Sequence, residues 1–265
     1  MSREDDPYDL EAGTEEHYAD AVLYDYEYRR RRADVNHYRR LAQELGGSGP
    51  IVEIGCGTGR LMIPFLRDGH RVIGLDRSQT MLRRAAEKAA RRARRPLLLR
   101  ADMRWFALGV KVPLVVAAFN TLQHLYTWED FLNCLTSVRA CLAPGGRLAF
   151  DVLHPDIAWL IRDSRKRWAR TVFTHPETGE KLEYTTNHSY DPSCQIAFVR
   201  IYYRQVNGDR TRVVRLAHRQ FFPEELLALL RAAGYRLDHR WGGFNQEVFN
   251  GGADSQVIVC SPVEK

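Results

Sequence analysis

A short apolar segment that runs directly into a glycine-rich turn is the feature that most constrains the fold of this chain. The segment is Ile51–Ile54, and the turn after it reads Gly55-Cys56-Gly57-Thr58-Gly59. Because glycine has no Cβ atom, such a turn can bend sharply and let a ligand approach the backbone. Asp76 ends the next apolar segment, about 20 residues further on. This order predicts a nucleotide-cofactor site where the strands of a parallel sheet end.

The spacing of the glycines separates two classes of cofactor. Dinucleotide sites use G-x-G-x-x-G to seat a pyrophosphate on a helix N-terminus, whereas this turn reads G-x-G-x-G. Glu53 lies two residues before the first glycine, where its carboxylate would repel a pyrophosphate and attract a cation. Asp76 can accept hydrogen bonds from both hydroxyls of a ribose. The residues therefore favour a cationic cofactor that carries a ribose.

The rest of the chain alternates apolar segments with helical patterns, as a parallel sheet covered on both faces requires. The predicted elements are strands at 51–54, 71–75, 97–100, 114–119 and 147–152, with helices at 59–68, 78–95 and 127–142. Ser78 is the expected N-cap of the second of these helices. A helix at 223–233 and strands at 235–241 and 256–260 complete the pattern. We therefore predict an α/β fold, with a Rossmann-like sheet of seven strands and helices on both faces.

A different pattern occupies the chain between the fifth strand and the last helix. Segments 181–190, 196–206 and 212–220 are long and alternate, which is typical of antiparallel strands, and Asn207-Gly208 predicts a two-residue hairpin turn. We predict three parts for the chain: an N-terminal helical lid at 1–46, a core at 47–153 and 221–265, and an antiparallel β insertion at 154–220 that covers the substrate site.

Composition limits the compartment and the partners. The chain of 265 residues has no apolar run near the roughly 18–20 residues of a membrane span, and its N-terminus lacks the apolar core of a signal peptide. The five cysteines include no C-x-x-C pair and lie in apolar segments, so we expect reduced core thiols and a cytoplasmic protein. They are Cys56, Cys134, Cys141, Cys194 and Cys260.

Basic residues are concentrated in one segment. The formal net charge is +6, and residues 83–95, with seven basic side chains and one acidic side chain, account for all of it. This segment follows the predicted second strand and is rich in alanine, which indicates a helix on the outside of the sheet. The charges fit either a solvated helix face or a patch that binds phosphates.

Polar residues follow the next three predicted strands. Asp102-Met103 comes after the third, where a carboxylate and a thioether could contact an adenine, although Asp102 could also cap a helix. The run from Phe119 and Asn120 to His124 comes after the fourth, and an imidazole there could take up a proton or be structural. Asp151 and the nearby His154 could line an acceptor pocket or begin a helix.

Several patterns of other chemistries are missing. No N/D-P-P-Y or N/D-P-P-F tetrad follows the fourth strand, no cysteine follows a proline, and no RNA-binding module is visible. A magnesium site built on Asp151 would need an Asp-Asn pair downstream, which the sequence lacks. We therefore expect no metal and no nucleic-acid partner.

The run from Glu53 to Gly59, E-x-G-x-G-x-G, resembles motif I of the class I S-adenosylmethionine (SAM)-dependent methyltransferases, and the resemblance extends over roughly residues 20–262. The branch most similar contains the glycine N-methyltransferases and the deoxyamino-sugar N,N-dimethyltransferases. Their N-terminal helix pattern is matched by Tyr24-Asp25, Asp34, Tyr38 and Ala42, and their Gly-His-Leu by Gln123-His124-Leu125. The return from the insertion is matched by Arg219–Phe222, Glu224–Leu226 and Ala233-Gly234. Gln123 in place of glycine departs from the family.

The resemblance implies SAM as the cofactor and a small-molecule acceptor, with an amine nitrogen as the methylated atom. It implies His124 and Tyr24 as catalytic residues, Tyr24 covering the sulfonium and His124 orienting or deprotonating the acceptor. The implied cofactor-binding residues are Tyr24, Glu53, Gly55, Cys56, Gly57, Gly59, Asp76, Arg77, Met81, Asp102, Met103, Phe119 and Asn120.

Other functions remain open at this point. They are an O-methyltransferase of a natural-product hydroxyl with His124 as base, an RNA or protein methyltransferase that docks through residues 83–95, and a SAM-binding subunit without activity. An exposed edge of the insertion could pair two copies into a homodimer, and we expect no membrane partner.

Overall fold

The computed structural model of the chain describes residues 9–90 and 95–263. The helices in this part are α1 (Leu10–Glu15), α2 (Ala21–Tyr28), α3 (Ala33–Leu45), α4 (Met62–Arg67), α5 (Gln79–Ala89), α6 (Trp128–Cys141), α7 (Ile157–Leu160) and α8 (Pro223–Ala232), with short 3-10 helices at Glu16–Tyr18 and Thr121–His124. The strands are β1 (Ile51–Ile54), β2 (Val72–Asp76), β3 (Leu97–Arg100), β4 (Val112–Ala117), β5 (Leu142–Leu153), β6 (Trp168–Thr174), β7 (Lys181–Asp191), β8 (Ile196–Gln205), β9 (Thr211–Arg219), β10 (Tyr235–Trp241) and β11 (Ser255–Pro262).

Seven strands form one sheet in the order β10-β11-β5-β4-β1-β2-β3. Strands β1 to β5 pair with one another in parallel, whereas β11 is antiparallel to both β5 and β10. All four residues of the central strand β1 are buried, because helices cover both faces of a parallel sheet. The predicted α/β fold with seven strands is confirmed.

Apolar side chains fill the space on each face of this sheet. One cluster contains Phe131 of α6, Phe150 of β5 and Phe221, and the rings of Phe131 and Phe221 are 5.2 Å apart. The other contains Tyr38 of α3 and Phe65 of α4, both completely buried. These two layers hold the sheet rigid, so the turns at the ends of its strands start from fixed positions.

Strands β6, β7, β8 and β9 form a separate, fully antiparallel sheet, which confirms the predicted insertion. The prediction of a two-residue hairpin turn at Asn207-Gly208 was wrong. The Gln205 N–H donates to the Arg210 carbonyl at 2.9 Å, and five residues, 206–210, connect β8 to β9. Neither Asn207 nor Gly208 has a positive φ, whereas the tight turn predicted for this pair requires one.

The predicted bounds hold best for strands whose sequence is bracketed by turn signals. Strands β1, β3 and β10 begin and end where the sequence places them, and Ser78 caps α5 through its side chain, as predicted. Strand β4 ends at Ala117, two residues before the predicted end. Of the basic segment 83–95, residues 91–94 lie outside the described residues. Cys194 is exposed in the turn after β7, contrary to the expectation of a core thiol, while the other four cysteines are buried and all five are free.

The chain divides into two compact units. The first comprises residues up to Arg29 together with Pro155–Gln220, and the second comprises Arg30–His154 together with the chain from Phe221 onward. Helix α3 therefore belongs to the second unit, so the predicted lid at 1–46 is shared between both units. None of the described helices combines the length and the apolar character that crossing a membrane requires.

Candidate functional site

The glycine-rich turn between β1 and α4 is packed closely at its first glycine and open at its second. Gly55 has a φ of +64°, and a Cβ atom there would lie 2.6 Å from the side chain of Thr121, so only glycine fits. Gly57 has a φ of +51°, and a Cβ atom there would meet no atom within 4 Å. The turn therefore contacts the segment after β4 on one side and offers free backbone surface on the other.

Glu53 places a buried carboxyl group beside this turn. Its side chain is 4% exposed, and Oε2 has no hydrogen-bond partner among the described residues. Burial raises the pKa of Glu53 to about 8, the positive charge of Arg60 opposes the shift, and Asp76 adds to it. A buried acid with an unused oxygen is costly, and a positively charged ligand group would relieve that cost. The site thus fits the ammonium and sulfonium charges of SAM.

Asp76 links the glycine turn to the end of β2. Its Oδ2 accepts the Gly57 N–H and its Oδ1 accepts the Ser78 N–H, both at 2.8 Å. Burial raises the pKa of Asp76, and these two hydrogen bonds act against that shift. Each carboxylate oxygen has a second lone pair, so Asp76 can hold the turn and still accept ribose hydroxyls.

Asp102, after β3, is engaged by its own neighbour. Arg104 donates to it from the backbone at 2.9 Å and forms an ion pair with it at 2.7 Å, and this holds the pKa of Asp102 below its usual value. Arg104 also pairs with Asp130 at 3.0 Å. These contacts give Asp102 a local structural role, and its contact with adenine stays a prediction, as does that of the partly buried Met103.

Three further residues assigned to the cofactor differ in the solvent exposure of their side chains. The thiol of Cys56 is buried under the turn, where a Cβ atom on Gly74 would lie 2.9 Å from its Sγ. Met81 is 1% exposed in α5, so neither side chain presents much surface to a ligand. Arg77 is exposed at the end of β2.

The segment after β4 has an unusual backbone. Phe119 and Asn120 have φ values of +60° and +63°, a region that costs a residue with a side chain on the order of 1–3 kcal/mol. The Phe119 ring lies between two guanidinium groups, with Arg31 at 4.8 Å and Arg60 at 4.6 Å from its centre. The turn takes up Phe119, the last residue of the predicted fourth strand, and in the structure that strand ends at Ala117.

Arg60 and Asp34 form a buried ion pair that the sequence analysis did not identify. The guanidinium group of Arg60 donates to both oxygens of Asp34, at 3.0 and 2.5 Å, and Asp34 is 1% exposed. Arg60 directly follows Gly59, so the pair ties the glycine turn to α3. No local pattern in the sequence signals this pair, because its two residues lie 26 positions apart in the chain.

His124 ends the 3-10 helix that follows the left-handed turn. It is half-buried, and its Nδ1 lies 3.4 Å from the Tyr126 hydroxyl. The neighbouring Gln123 is fully buried, and its Oε1 accepts the Leu153 N–H at 3.1 Å. This bond gives a physical reason for glutamine where the similar family has glycine, since the amide holds the 3-10 helix to β5.

Asp151 has a different position from the two that the sequence suggested. It lies inside β5, is 1% exposed, and accepts hydrogen bonds from the Tyr38 hydroxyl at 2.7 Å and from the N–H groups of Phe119 and Asn120 at 2.8 and 3.1 Å. It therefore neither lines an open pocket nor begins a helix. His154, just after β5, packs edge-on against Phe249, and the following helix, α7, starts at Ile157.

Tyr24 belongs to the first unit and lies in an aromatic cluster of α2 and the 3-10 helix before it. Its ring centre is 4.7 Å from that of Tyr28, 5.9 Å from that of Tyr18 and 6.1 Å from that of His17. Its proposed position over the sulfonium stays a prediction. No group of His, Cys, Asp or Glu that could hold a metal ion occurs among the described residues.

Hydrogen bonds and close packing bring most of the predicted residues of the second unit together. Gly57 bonds to Asp76, Gly55 packs on Thr121, and Arg60 contacts the Phe119 ring. Since these groups follow β1, β2 and β4, they meet at the carboxyl ends of the parallel strands. That is where open α/β sheets bind ligands.

Comparisons with known proteins agree with this geometry. Residues 51–146 match the family described as a methyltransferase domain. The putative methyltransferase YqeM of Bacillus subtilis (strain 168) is 35% identical over 110 residues, which are 41% of this chain and 44% of that protein. The dTDP-3-amino-3,4,6-trideoxy-alpha-D-glucopyranose N,N-dimethyltransferase of Streptomyces venezuelae is 31% identical over 127 residues, 46% of this chain and 52% of that protein.

The matched part thus spans about half the length of these two relatives. Among solved structures, the CcbJ methyltransferase from Streptomyces caelestis superposes with a TM-score of 0.74 at 25% identity, over 88% of this chain and 90% of that chain. Residues 51–146 thus match a methyltransferase domain, and the chain has the fold of the class I S-adenosylmethionine-dependent methyltransferases.

Proposed function

We propose that the chain transfers a methyl group from SAM to an amine nitrogen of a small molecule. The observation that carries the proposal is the buried, unpartnered oxygen of Glu53 beside the open backbone of Gly57. A cofactor with two positive groups on a nucleoside satisfies both features. The match of residues 51–146 to a methyltransferase domain supports the same conclusion.

The residues at the strand ends would each bind a different part of the cofactor. Glu53 and the turn from Gly55 to Gly59 would hold the methionine portion, Asp76 the ribose, and Asp102 with Met103 the adenine. SAM supplies a methyl group on a sulfonium, which is transferred by in-line displacement. The chain itself must hold the acceptor's lone pair in line and exclude water.

The choice of an amine acceptor is supported by a relative and by the candidate base. The curated relative from Streptomyces venezuelae is named for an amino sugar that it methylates on nitrogen. An amine needs to lose only one proton before or after attack, and a half-buried imidazole such as that of His124 can accept it near neutral pH. A hydroxyl acceptor would need a stronger base.

Methyl-labelled SAM incubated with the purified chain and an extract of its source cells tests the proposed function. We expect label in a low-mass cationic product that chromatography separates from SAM, as a methylated amine would be. Label in neutral low-mass material would indicate a hydroxyl acceptor, and label in polymer that nuclease or protease degrades would contradict a small-molecule acceptor.

The role of His124 is tested by comparison with a second histidine. His124→Ala should lower the rate of transfer about 10²- to 10⁴-fold, the usual contribution of an acid–base residue, and should leave SAM binding unchanged. His154→Ala, which removes a histidine that follows β5, is the control and should retain most of the activity. Full turnover in the His124 variant with SAM bound would exclude it as the base.

A further inference from the structure

Building on the proposed function, we infer that Tyr38 and Asp151 are positioning residues that fix the turn after β4 and thereby orient His124 toward the methyl acceptor. Neither residue is assigned a contact with the cofactor or the acceptor. Their effect would pass through the backbone of Phe119 and Asn120.

Asp151 accepts the hydrogen bonds on which the turn after β4 depends. The carboxylate receives three hydrogen bonds, one from the Tyr38 hydroxyl and two from successive backbone N–H groups, and it is 1% exposed. A backbone N–H buried without a partner is costly, so the left-handed turn needs this carboxylate. Asparagine could not take the place of Asp151. Its side-chain nitrogen is a hydrogen-bond donor and would face a backbone N–H group, which is also a donor.

Tyr38 keeps that carboxylate in place. The Tyr38 ring is completely buried among apolar side chains, where phenylalanine would pack equally well, so the hydroxyl is needed for the bond to Asp151. Burial raises the pKa of Asp151, and the hydrogen bond from Tyr38 acts against that shift. The Tyr38 hydroxyl therefore helps to keep the Asp151 carboxylate ionised and oriented.

The path from this pair to His124 is short and fixed at both ends. Asn120 is the N-cap of the 3-10 helix Thr121–His124, so its conformation sets the direction in which that helix starts. The side chain of Gln123 binds the Leu153 N–H, also in β5. Strand β5 therefore holds this helix at its N-cap through Asp151 and within it through Gln123, and loss of the first hold would let the start of the helix, and with it His124, shift.

Helix α3 supports the same turn at a second point. Asp34, one helical turn before Tyr38, binds Arg60, whose guanidinium group lies over the Phe119 ring. Asp151 thus holds the backbone of the turn, and Arg60 holds the Phe119 ring. The α3 residues that bind them, Tyr38 and Asp34, lie on one face of that helix.

Tyr38→Phe tests the inference, and Tyr235→Phe is its matched control. Tyr235 is also fully buried, and its hydroxyl donates one hydrogen bond, to the Leu135 carbonyl at 3.0 Å, far along the chain from the turn. Each variant loses one buried hydrogen bond, and because the bond to the Asp151 carboxylate is the stronger, we expect a somewhat larger loss of melting temperature in Tyr38→Phe. Hydrogen exchange of the cofactor-free proteins should show faster exchange at Phe119 and Asn120 in Tyr38→Phe alone.

Transfer of methyl label from saturating SAM into the source-cell extract gives the second readout. In Tyr38→Phe the rate should fall at least about tenfold, because small misplacements of a reacting group cost up to about 100-fold, while the dissociation constant for SAM changes far less. Equal exchange at Phe119 and Asn120 in both variants would overturn the positioning role, and so would equal rates. If the wild-type chain transfers no label, the proposed function fails, and the exchange result still decides the positioning role.

Discussion

Glu53 shows how one buried side chain can couple cofactor binding to pH. Its carboxyl group has a pKa raised to about 8, chiefly by burial, so at neutral pH the cofactor-free protein holds it mostly protonated. A cationic ligand favours the ionised form and lowers the pKa in the complex. Binding of a cation at Glu53 would therefore release a proton, and the affinity would rise with pH.

We predict that the affinity for SAM increases roughly tenfold per pH unit below about pH 8 and then levels off, as one titrating carboxyl group requires. Calorimetric titrations between about pH 6 and 9 measure this dependence, with the released proton detected from buffers of different ionisation heat. Glu53→Gln should bind SAM more weakly and lose this part of the dependence.

The Glu53→Gln variant also separates the titration of Glu53 from that of SAM itself. An α-amino group titrates near pH 8, and it would do so equally with either protein. The same pH slope in both proteins would show that SAM binding leaves the ionisation of Glu53 unchanged, which would contradict the predicted release of a proton.

At the scale of elements, α3 carries two ion pairs that each join both oxygens of a carboxylate and that differ in burial. Arg60 binds both oxygens of Asp34, and the side chains are 17% and 1% exposed. Arg39 of α3 binds both oxygens of Asp68 at 2.7 and 2.6 Å, but its side chain is 42% exposed. Water screens the second pair more effectively than the first.

Removing the arginine should therefore have very different effects at the two places. Arg60→Met leaves a buried carboxylate unpaired and should lower the free energy of unfolding by about 3–5 kcal/mol. Arg39→Met, its matched control, should cost at most about 1 kcal/mol. Urea denaturation of both variants measures the difference.

The double variant with Asp34→Asn and Arg60→Met completes this comparison. Removing both charges should restore part of the stability that Arg60→Met loses, because no buried charge is then left alone. Equal costs for the two arginine variants would mean that Asp34 is neutral or hydrated in the folded protein.

The elements also show where local sequence is a good guide and where it fails. Strands β1, β3 and β10 have the predicted bounds, because apolar runs between turn signals suit only one local structure. Strand β4 ends early, because Asp151, distant in the chain, pulls Phe119 and Asn120 into a left-handed turn. The Asn207-Gly208 turn failed for a similar reason, since the pairing of β8 with β9 sets the length of their connection.

At the scale of the molecule, the residues assigned to the cofactor belong to the second unit, apart from Tyr24. A ligand that binds the folded state stabilises it in proportion to the logarithm of its concentration. We therefore expect SAM to protect the sheet that contains β1, β2 and β4 against unfolding.

SAM at about 100 times its dissociation constant should add about 2.7 kcal/mol and raise the melting temperature by about 5–10 °C. Scanning calorimetry measures the shift, and hydrogen exchange at β1 and β4 should slow in parallel. Glu53→Gln is the control and should show little shift at the same SAM concentration. A wild-type melting temperature independent of SAM would contradict the assigned site.

The sequence by itself determined the order of strands and helices around the seven-stranded sheet and the position of the glycine turn, and it predicted a cationic ligand there. These follow from local patterns, because apolar periodicity and glycine content act over a few residues. Only the tertiary structure decided that Asp34 binds Arg60 and that Tyr38 and two backbone N–H groups meet at Asp151. Those partners are up to 113 residues apart, and the packing of α3 on the sheet is what brings them together.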